Sequence, residues 1–321
     1  MVSIGFNNVY IGDWFSIASP DEEKGYIKNV DMYMKDYYYG EKTPEKAELK
    51  MQKTVVNNLL QRNKFDLIIG GDLSNQLGIM NMTAKNYNKS FLGVYSACAS
   101  FVESMIIGAN LLTNKQLKSA CLLTSSHILG SERQFRFPNE YGSLKACYTT
   151  STITASCGAV ITNSQTKYKI TSGTIGSVVD YDIKDVANMG AIMAPAAAKT
   201  IYEHLINNGA TIDDYDIILT GDLGKLGLEF LEYLLKTEYN IMNFRNICDA
   251  GSCIYKEGQE KYMGGSGPSV LPFVFFNKII HNKKYKRILL VGTGALHNPT
   301  LVNQKNSIPA VAHAIEIEVA S

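Results

Sequence analysis

The chain has 321 residues, 45% of them hydrophobic and 19% charged, with a formal net charge of +1, enough to bury a large core as one unit or as two halves. So even a balance, without any Lys/Arg-rich stripe, gives no electrostatic reason to expect a nucleic-acid partner; the one basic run, Lys283, Lys284, Lys286 and Arg287, reads as a solvated turn before a strand. Six cysteines lie scattered without a CxxC pair, which argues against a disulfide framework or a zinc site.

In chain order, Met1–Tyr10 carries neither the charged nor the apolar region of a signal peptide, and no run reaches the ~18 apolar residues of a membrane span. A cytoplasmic chain is expected, held at a membrane only through a partner. Thr43-Pro44 starts a helix, a capping hydroxyl before a proline at the first helical position, and Ala47, Met51, Val55 and Leu59 follow at helical spacing. Phe65–Leu73 is an apolar β-rich run ending in Gly-Asp-Leu, the pattern of a buried strand feeding a loop. Cys98 then precedes a segment of helical period (Phe101, Met105, Ile106, Ala109, Leu112), which puts it at a strand-to-helix turn. Ala120–Ser126 is a further strand. A helix is predicted from about Ala194-Pro195 to Asn208, closed by Gly209.

From Tyr215 the pattern returns. Tyr215–Leu223 repeats Phe65–Leu73, again ending in Gly-Asp-Leu, and Cys248 lies 26 residues after Asp222 as Cys98 lies 26 after Asp72. Arg287–Gly294 answers Ala120–Ser126. Two equivalent α/β halves are the economical explanation.

A cysteine at a helix N-terminus sits in the positive end of the macrodipole, so its thiolate should be favoured and its pKa should fall. That is how a nucleophile is prepared for acyl transfer. The competing reading is a small buried core residue; Cys248 reads as structural.

With the repeat, the arrangement resembles the thiolase fold in its ketoacyl-synthase-III-like branch: α/β, with two pseudo-symmetric halves, 1–170 and 171–321, forming a five-layered αβαβα core. The segments Gly71–Gln76, Thr124–His127, Glu132–Arg136, Met193–Ala198, Gly264–Gly267 and Ser307–Pro309, in order along nearly the whole chain, are similar to the stage V sporulation protein AD family. Condensing enzymes of this fold pair the cysteine with histidine and asparagine donors from the second half. Here the histidine slot reads Thr220-Gly221-Asp222-Leu223 and the asparagine slot Gly264-Gly265-Ser266-Gly267, and none of the five histidines stands in either. An ionised Asp222 would repel a developing oxyanion. The expectation is therefore a protein that catalyses nothing.

The resemblance implies a role in uptake of dipicolinic acid, with calcium entering only as the ligand's chelate partner, no cofactor or resident metal, membrane proteins of the same sporulation uptake system as partners, a place on the inner (forespore) membrane, and a homodimer. The candidate ligand contacts are Asp72, Cys98, Ser126, His127, Glu132, Arg133 and Gly265. Arg recognises carboxylates with a bidentate fork, and glycine-rich turns admit backbone N–H groups to a ligand. For Glu132, Arg133 and Arg136 an internal ion-pair network bracing a loop is the equal alternative, as close packing is for the glycines; a lone histidine such as His127 is more often a satisfied core residue than a ligand contact. Two other functions stay open: an acyltransferase using Cys98 with rearranged partners such as His127, and a structural subunit that binds no small molecule.

Overall fold

The computed structural model describes residues 1–136, 142 and 144–320. In the first half, β1 (Val2–Gly5) and β2 (Tyr10–Ala18) lead into the short helix α1 (Pro20–Lys24) and β3 (Met32–Tyr33), then α2 (Pro44–Arg62), β4 (Leu67–Gly71), α3 (Gly78–Ala84), β5 (Ser90–Gly93), α4 (Ser100–Thr113), β6 (Ser119–Ser126), α5 (Ile128–Phe135), β7 (Ser151–Thr152) and β8 (Ala155–Thr162). The second half runs through β9 (Tyr168–Ile175), α6 (Met189–Asn208), β10 (Ile217–Thr220), α7 (Gly224–Tyr239), β11 (Ile247–Asp249), β12 (Gly265–Ser266), α8 (Val270–Val274, continued as a π-turn to Ile279), β13 (Arg287–Ala295), α9 (Pro299–Asn303) and β14 (Ala310–Val319).

The duplication seen in the sequence is a duplication of topology. The main sheet runs β11-β10-β13-β14-β9-β2-β8-β6-β4-β5, so each half contributes five strands in the same spatial order: third, second, fourth, fifth, first. In each, the fifth strand (β8 or β14) is antiparallel to its neighbours. The halves join where Tyr10 and Ile11 of β2 meet Lys169 and Tyr168 of β9. A division drawn after residue 170 thus falls inside β9.

Five layers result. On the outer face of the first half, α2 packs Met51, Val55, Val56 and Leu59 against Ile68, Cys121 and Val160. On the outer face of the second, α6 and α7 cover Ile218, Leu289 and Val291. Between the two sheet halves lie α4 and α8, with Phe101, Met105, Phe273 and Phe276 among the buried side chains of the shared core. At roughly 1.5–3 kcal/mol for each large apolar side chain removed from water, this middle layer dominates the attraction between halves.

Local signals act as expected at α2, where Thr43 Oγ1 accepts from Lys46 N–H and Pro44 takes the first position. Helix α6 differs. It starts at Met189, capped by the Asn188 side chain, so Pro195 lies in its interior rather than at its start; Gly209 closes it at φ 61° as predicted. The hydrogen bond lost at Pro195 is offset because most of this helix is buried against the sheet and α7.

Candidate functional site

Cys98 is presented by a turn that depends on both halves. After β5 the chain reverses through Ala97, held at φ 51°, and a single 3-10 turn, Ala97–Ala99, before α4 begins. A non-glycine residue in that conformation costs about 1–3 kcal/mol, so the surrounding packing must hold it. Ser100 Oγ donates to Ala97 C=O (2.7 Å) inside the turn. From the second half, β13 reaches the turn closely because it carries glycine there: a Cβ on Gly294 would stand 2.4 Å from Ser96 O, and one on Gly292 2.8 Å from Val102 Cγ2.

The side chain facing the thiol is Asp222, at the end of β10. It is fully buried, and its carboxyl accepts from Ser266 Oγ (2.8 Å), Gly267 N–H (2.9 Å) and Thr293 Oγ1 (2.9 Å). Burial pushes the Asp222 pKa up against those donors. The Cys98 thiol is pushed well above the usual thiol range, first by burial and then by the Asp222 charge and its hydrogen bond. The thiolate expected from the helix terminus is therefore overturned: the macrodipole is outweighed by desolvation and a neighbouring carboxylate.

Cys98 and Ser266 line a cavity of about 540 Å³. One wall comes from α5 and its end: Ser131, Gln134, Phe135 and Arg136. The lining also takes in the segment after β13, with His297, Asn298 and Thr300, and Met189 and Met193 of α6. Among the described residues Arg136 is the sole charged side chain on the lining. Its guanidinium is fixed by Glu132 Oε1 (2.5 Å), Thr150 O (3.0 Å) and Thr152 Oγ1 (3.3 Å), while Lys145 approaches the other oxygen of Glu132 at 3.5 Å. His297 is held neutral; burial and then the Arg136 charge bring its pKa down to about 4.

Of the residues singled out from sequence, Cys98 lines the cavity and Glu132 stands directly behind its arginine. The others are engaged elsewhere. Asp72 is buried but caps its own loop, accepting from Ser74 N–H (2.7 Å), Ser74 Oγ and Met80 N–H (2.7 Å). Ser126 Oγ donates to Ile153 C=O (2.9 Å). His127 caps α5: its Nδ1 accepts from Leu129 N–H (3.3 Å), so the proton sits on Nε2 and is donated to Tyr37 C=O (2.8 Å). It faces α2 and the loop of Tyr37, and does not line the cavity. Arg133 pairs with Glu45 at the surface (3.4 Å). Gly265 lies beneath the site in β12, where a Cβ would meet Ile254 and Ile153 within 3 Å. Among the described residues no cluster of three or more His, Cys, Asp or Glu could hold a metal ion.

The sequence pattern did not single out Asp222, Ser266 or His297 as site residues, and it left Arg136 open between a ligand contact and an ion-pair network. The repeat did contain a signal for Asp222, since it occupies in the second half the place of Asp72 in the first. For His297 there was none.

This cysteine elbow, set between two duplicated α/β halves, defines a thiolase-fold protein of the ketoacyl-synthase-III-like kind. Solved structures agree on the fold: 3-oxoacyl-[acyl-carrier-protein] synthase III from Aquifex aeolicus VF5 is 12% identical, TM-score 0.57, covering 97% of this chain and 99% of that one. Cerulenin-bound OleA of Xanthomonas campestris is 13% identical, TM-score 0.63, covering 98% of this chain and 100% of that one. The chain belongs to the stage V sporulation protein AD family, whose model matches residues 3–318. Stage V sporulation protein AD of Bacillus subtilis (strain 168) is 36% identical over 97% of this chain and 95% of its own length. Family membership places the chain in sporulation.

Proposed function

We propose that this protein binds dipicolinic acid, pyridine-2,6-dicarboxylate, in the cavity beside Cys98, with calcium entering only as the ligand's chelate partner, and that it transfers no acyl group. The observation that carries the reading is the Cys98–Asp222 contact. Acyl transfer needs a thiolate and donors aimed at the oxyanion of the thioester intermediate, and losing one such donor raises the barrier by roughly 2.7–4 kcal/mol. Asp222 works against both requirements: it holds the thiol protonated and places acceptor oxygens beside the sulfur. What is left is a cavity within the size range of small-molecule sites, with apolar surface from Phe135, Met189 and Met193 and one guanidinium suited to a carboxylate.

No helix among the described residues is long and apolar enough to cross a membrane. Membrane proteins of the sporulation uptake system are proposed to hold the chain at the forespore membrane, with two copies paired through an edge of the sheet as fold-level analogy suggests. Calorimetric titration of the full chain with dipicolinate, with and without Ca²⁺, tests the ligand. Saturable binding supports the reading; its absence overturns it and favours a purely structural subunit.

A second reading, acyl transfer from Cys98, is favoured by the strained elbow at Ala97 and by the opening of the cysteine onto the cavity. Incubation with acyl-coenzyme A followed by intact-mass measurement decides it. A thioester that disappears in Cys98→Ala would establish the enzyme reading and remove the first.

A further inference from the structure

The Cys98 cavity lies where parallel strands end, since Cys98 follows β5 and His297 follows β13. At the opposite end of the molecule the same strands begin, and the pairing brings their beginnings into one row. Ser90 N–H donates to Asp66 C=O (3.2 Å), Asp66 N–H to Ser119 C=O (3.2 Å) and Asn163 N–H to Lys118 C=O (3.2 Å). Past the junction of the halves, Ala320 N–H donates to Lys167 C=O (2.8 Å), Val319 N–H to Lys286 C=O (2.8 Å) and Asp216 N–H to Arg287 C=O (2.9 Å). Segments far apart in the chain thus share one face.

This face is basic although the chain is nearly neutral. Its segments, 63–66, 85–90, 114–119, 163–169, 211–216, 243–246, 281–287 and 318–320, hold twelve Lys and Arg against five Asp and Glu, in a protein of formal net charge +1. The rest of the molecule is therefore acidic. Over the first four segments seven lysines face one carboxylate, that of Asp66. Lys64, Lys89, Lys115, Lys118, Lys284 and Lys286 are exposed, and none of the six forms a salt bridge among the described residues. The acids of the second half are engaged locally. Asp216 accepts from Lys286 N–H (2.7 Å) and Arg287 N–H (2.9 Å), Asp214 from Thr211 N–H (2.7 Å), and Asp213 from the Asn243 side chain.

We propose that this face docks electrostatically on an anionic lipid bilayer, with the Cys98 cavity turned away from the membrane. The inference rests on the charge of the face and stands whether or not the cavity takes dipicolinate. Charge complementarity selects the occupant. Lysine ammonium groups on flexible stems suit a surface of phosphate headgroups, where attraction sums over many separate charges. A nucleic acid calls instead for arginine forks, aromatic platforms for unpaired bases, or a helix or ribbon shaped to a groove. The face is built of the turns that lead into strands. Its only arginines are Arg245 and Arg287, and the Arg287 guanidinium is already held by Glu316 (3.0 Å).

The test is co-sedimentation of the full chain with vesicles of phosphatidylcholine alone or with about a third phosphatidylglycerol. One variant carries Lys64→Gln, Lys89→Gln, Lys115→Gln, Lys118→Gln, Lys284→Gln and Lys286→Gln. A control with the same loss of charge carries Lys28→Gln, Lys35→Gln, Lys42→Gln, Lys46→Gln, Lys225→Gln and Lys256→Gln, all exposed and outside this face. Circular dichroism verifies that both are folded. At about 0.05 M salt wild type should bind the anionic vesicles about tenfold or more tightly than the neutral ones, and about 0.5 M salt should release it. The face variant should lose about tenfold or more while the control stays within about twofold. Hydrogen exchange on anionic vesicles should slow over 85–90, 114–119 and 281–287 and stay unchanged over 295–300. A wild type indifferent to lipid charge, equal losses in the two variants, or protection over 295–300 in place of the turns overturns the proposal. So does tighter binding to duplex DNA than to anionic vesicles, which would assign the face to nucleic acid.

Discussion

The carboxylate of Asp222, from the second half of the chain, bears on the thiol of Cys98, from the first, and with burial holds it protonated. Neither residue can be understood within its own half. Cys98 stands on an elbow that β13 helps to shape, and Asp222 is held by Ser266, Gly267 and Thr293. This contact governs the chemistry of the site, and the first prediction follows from it.

Asp222→Asn should speed alkylation of Cys98 about tenfold or more at pH 7, because the charge that disfavours the thiolate is gone while most of the hydrogen-bonding shape is kept. In wild type, Cys98 should react more slowly than the exposed Cys147. A mass-spectrometric time course with iodoacetamide measures both. An unchanged rate at Cys98 would remove Asp222 from control of the thiol.

Glu132 carries two cationic partners in a buried place, with Arg136 at 2.5 Å and Lys145 at 3.5 Å. Glu132→Gln should lower stability by about 3–5 kcal/mol, since it leaves a buried guanidinium without its counter-charge. Glu45→Gln, which removes a surface partner of Arg133, should change it by less than about 1 kcal/mol. Urea midpoints compare the two; equal losses would show that the Glu132 network is no stronger than a surface pair.

Glu48 is buried on the inner face of α2, accepting from Ser125 Oγ (2.6 Å), and its pKa is pushed up to about 8 by burial and by Asp72. Above the ordinary carboxyl value of 4.5 the unfolded chain gives up this proton while the folded one keeps it. Stability therefore falls as pH rises from about 5 to about 8, by up to roughly 1.4 kcal/mol per unit. Glu48→Gln should be more stable than wild type, by a margin that grows across that window. Denaturation at pH 5, 6.5 and 8 checks it, and a constant margin would contradict the linkage.

Glu316 has the opposite sign. Burial alone would raise its pKa, but His204, Arg287, Tyr215 and Thr171 outweigh it and hold the group at about 2. Its contribution is present above the ordinary value of 4.5 and is lost as pH falls toward 2. Melting temperatures of wild type and Glu316→Gln should differ most at pH 7 and converge near pH 2.5; a gap that persists in acid would assign the effect to packing.

Gly294→Ala should destabilise the protein by about 1–3 kcal/mol, because the new methyl would stand 2.4 Å from Ser96 O and force the cysteine elbow outward. The urea midpoint reports the loss. A variant as stable as wild type would mean that the elbow yields freely.

By itself the sequence determined what rests on neighbours along the chain. The Thr43-Pro44 helix start, the Gly209 stop, the strands over 119–126 and 287–295 and the recurrence of strand, Gly-Asp-Leu loop and cysteine are all readable from local pattern, because capping, periodicity and burial of one element leave local marks. The family resemblance added the layered fold. Tertiary structure alone decided which of two equivalent aspartates meets the cysteine. Asp72 and Asp222 have the same local sequence, yet Asp72 caps its own loop while Asp222 crosses to the other half. His127 and His297 show the same limit. The first lies next to a promising motif and is taken up by capping α5, whereas the second reaches the cavity from 199 residues beyond Cys98 in the chain. The reason is physical: pKa and ligand access depend on which groups share a buried volume, and that volume is enclosed only when α4 and α8 bring the two sheet halves together.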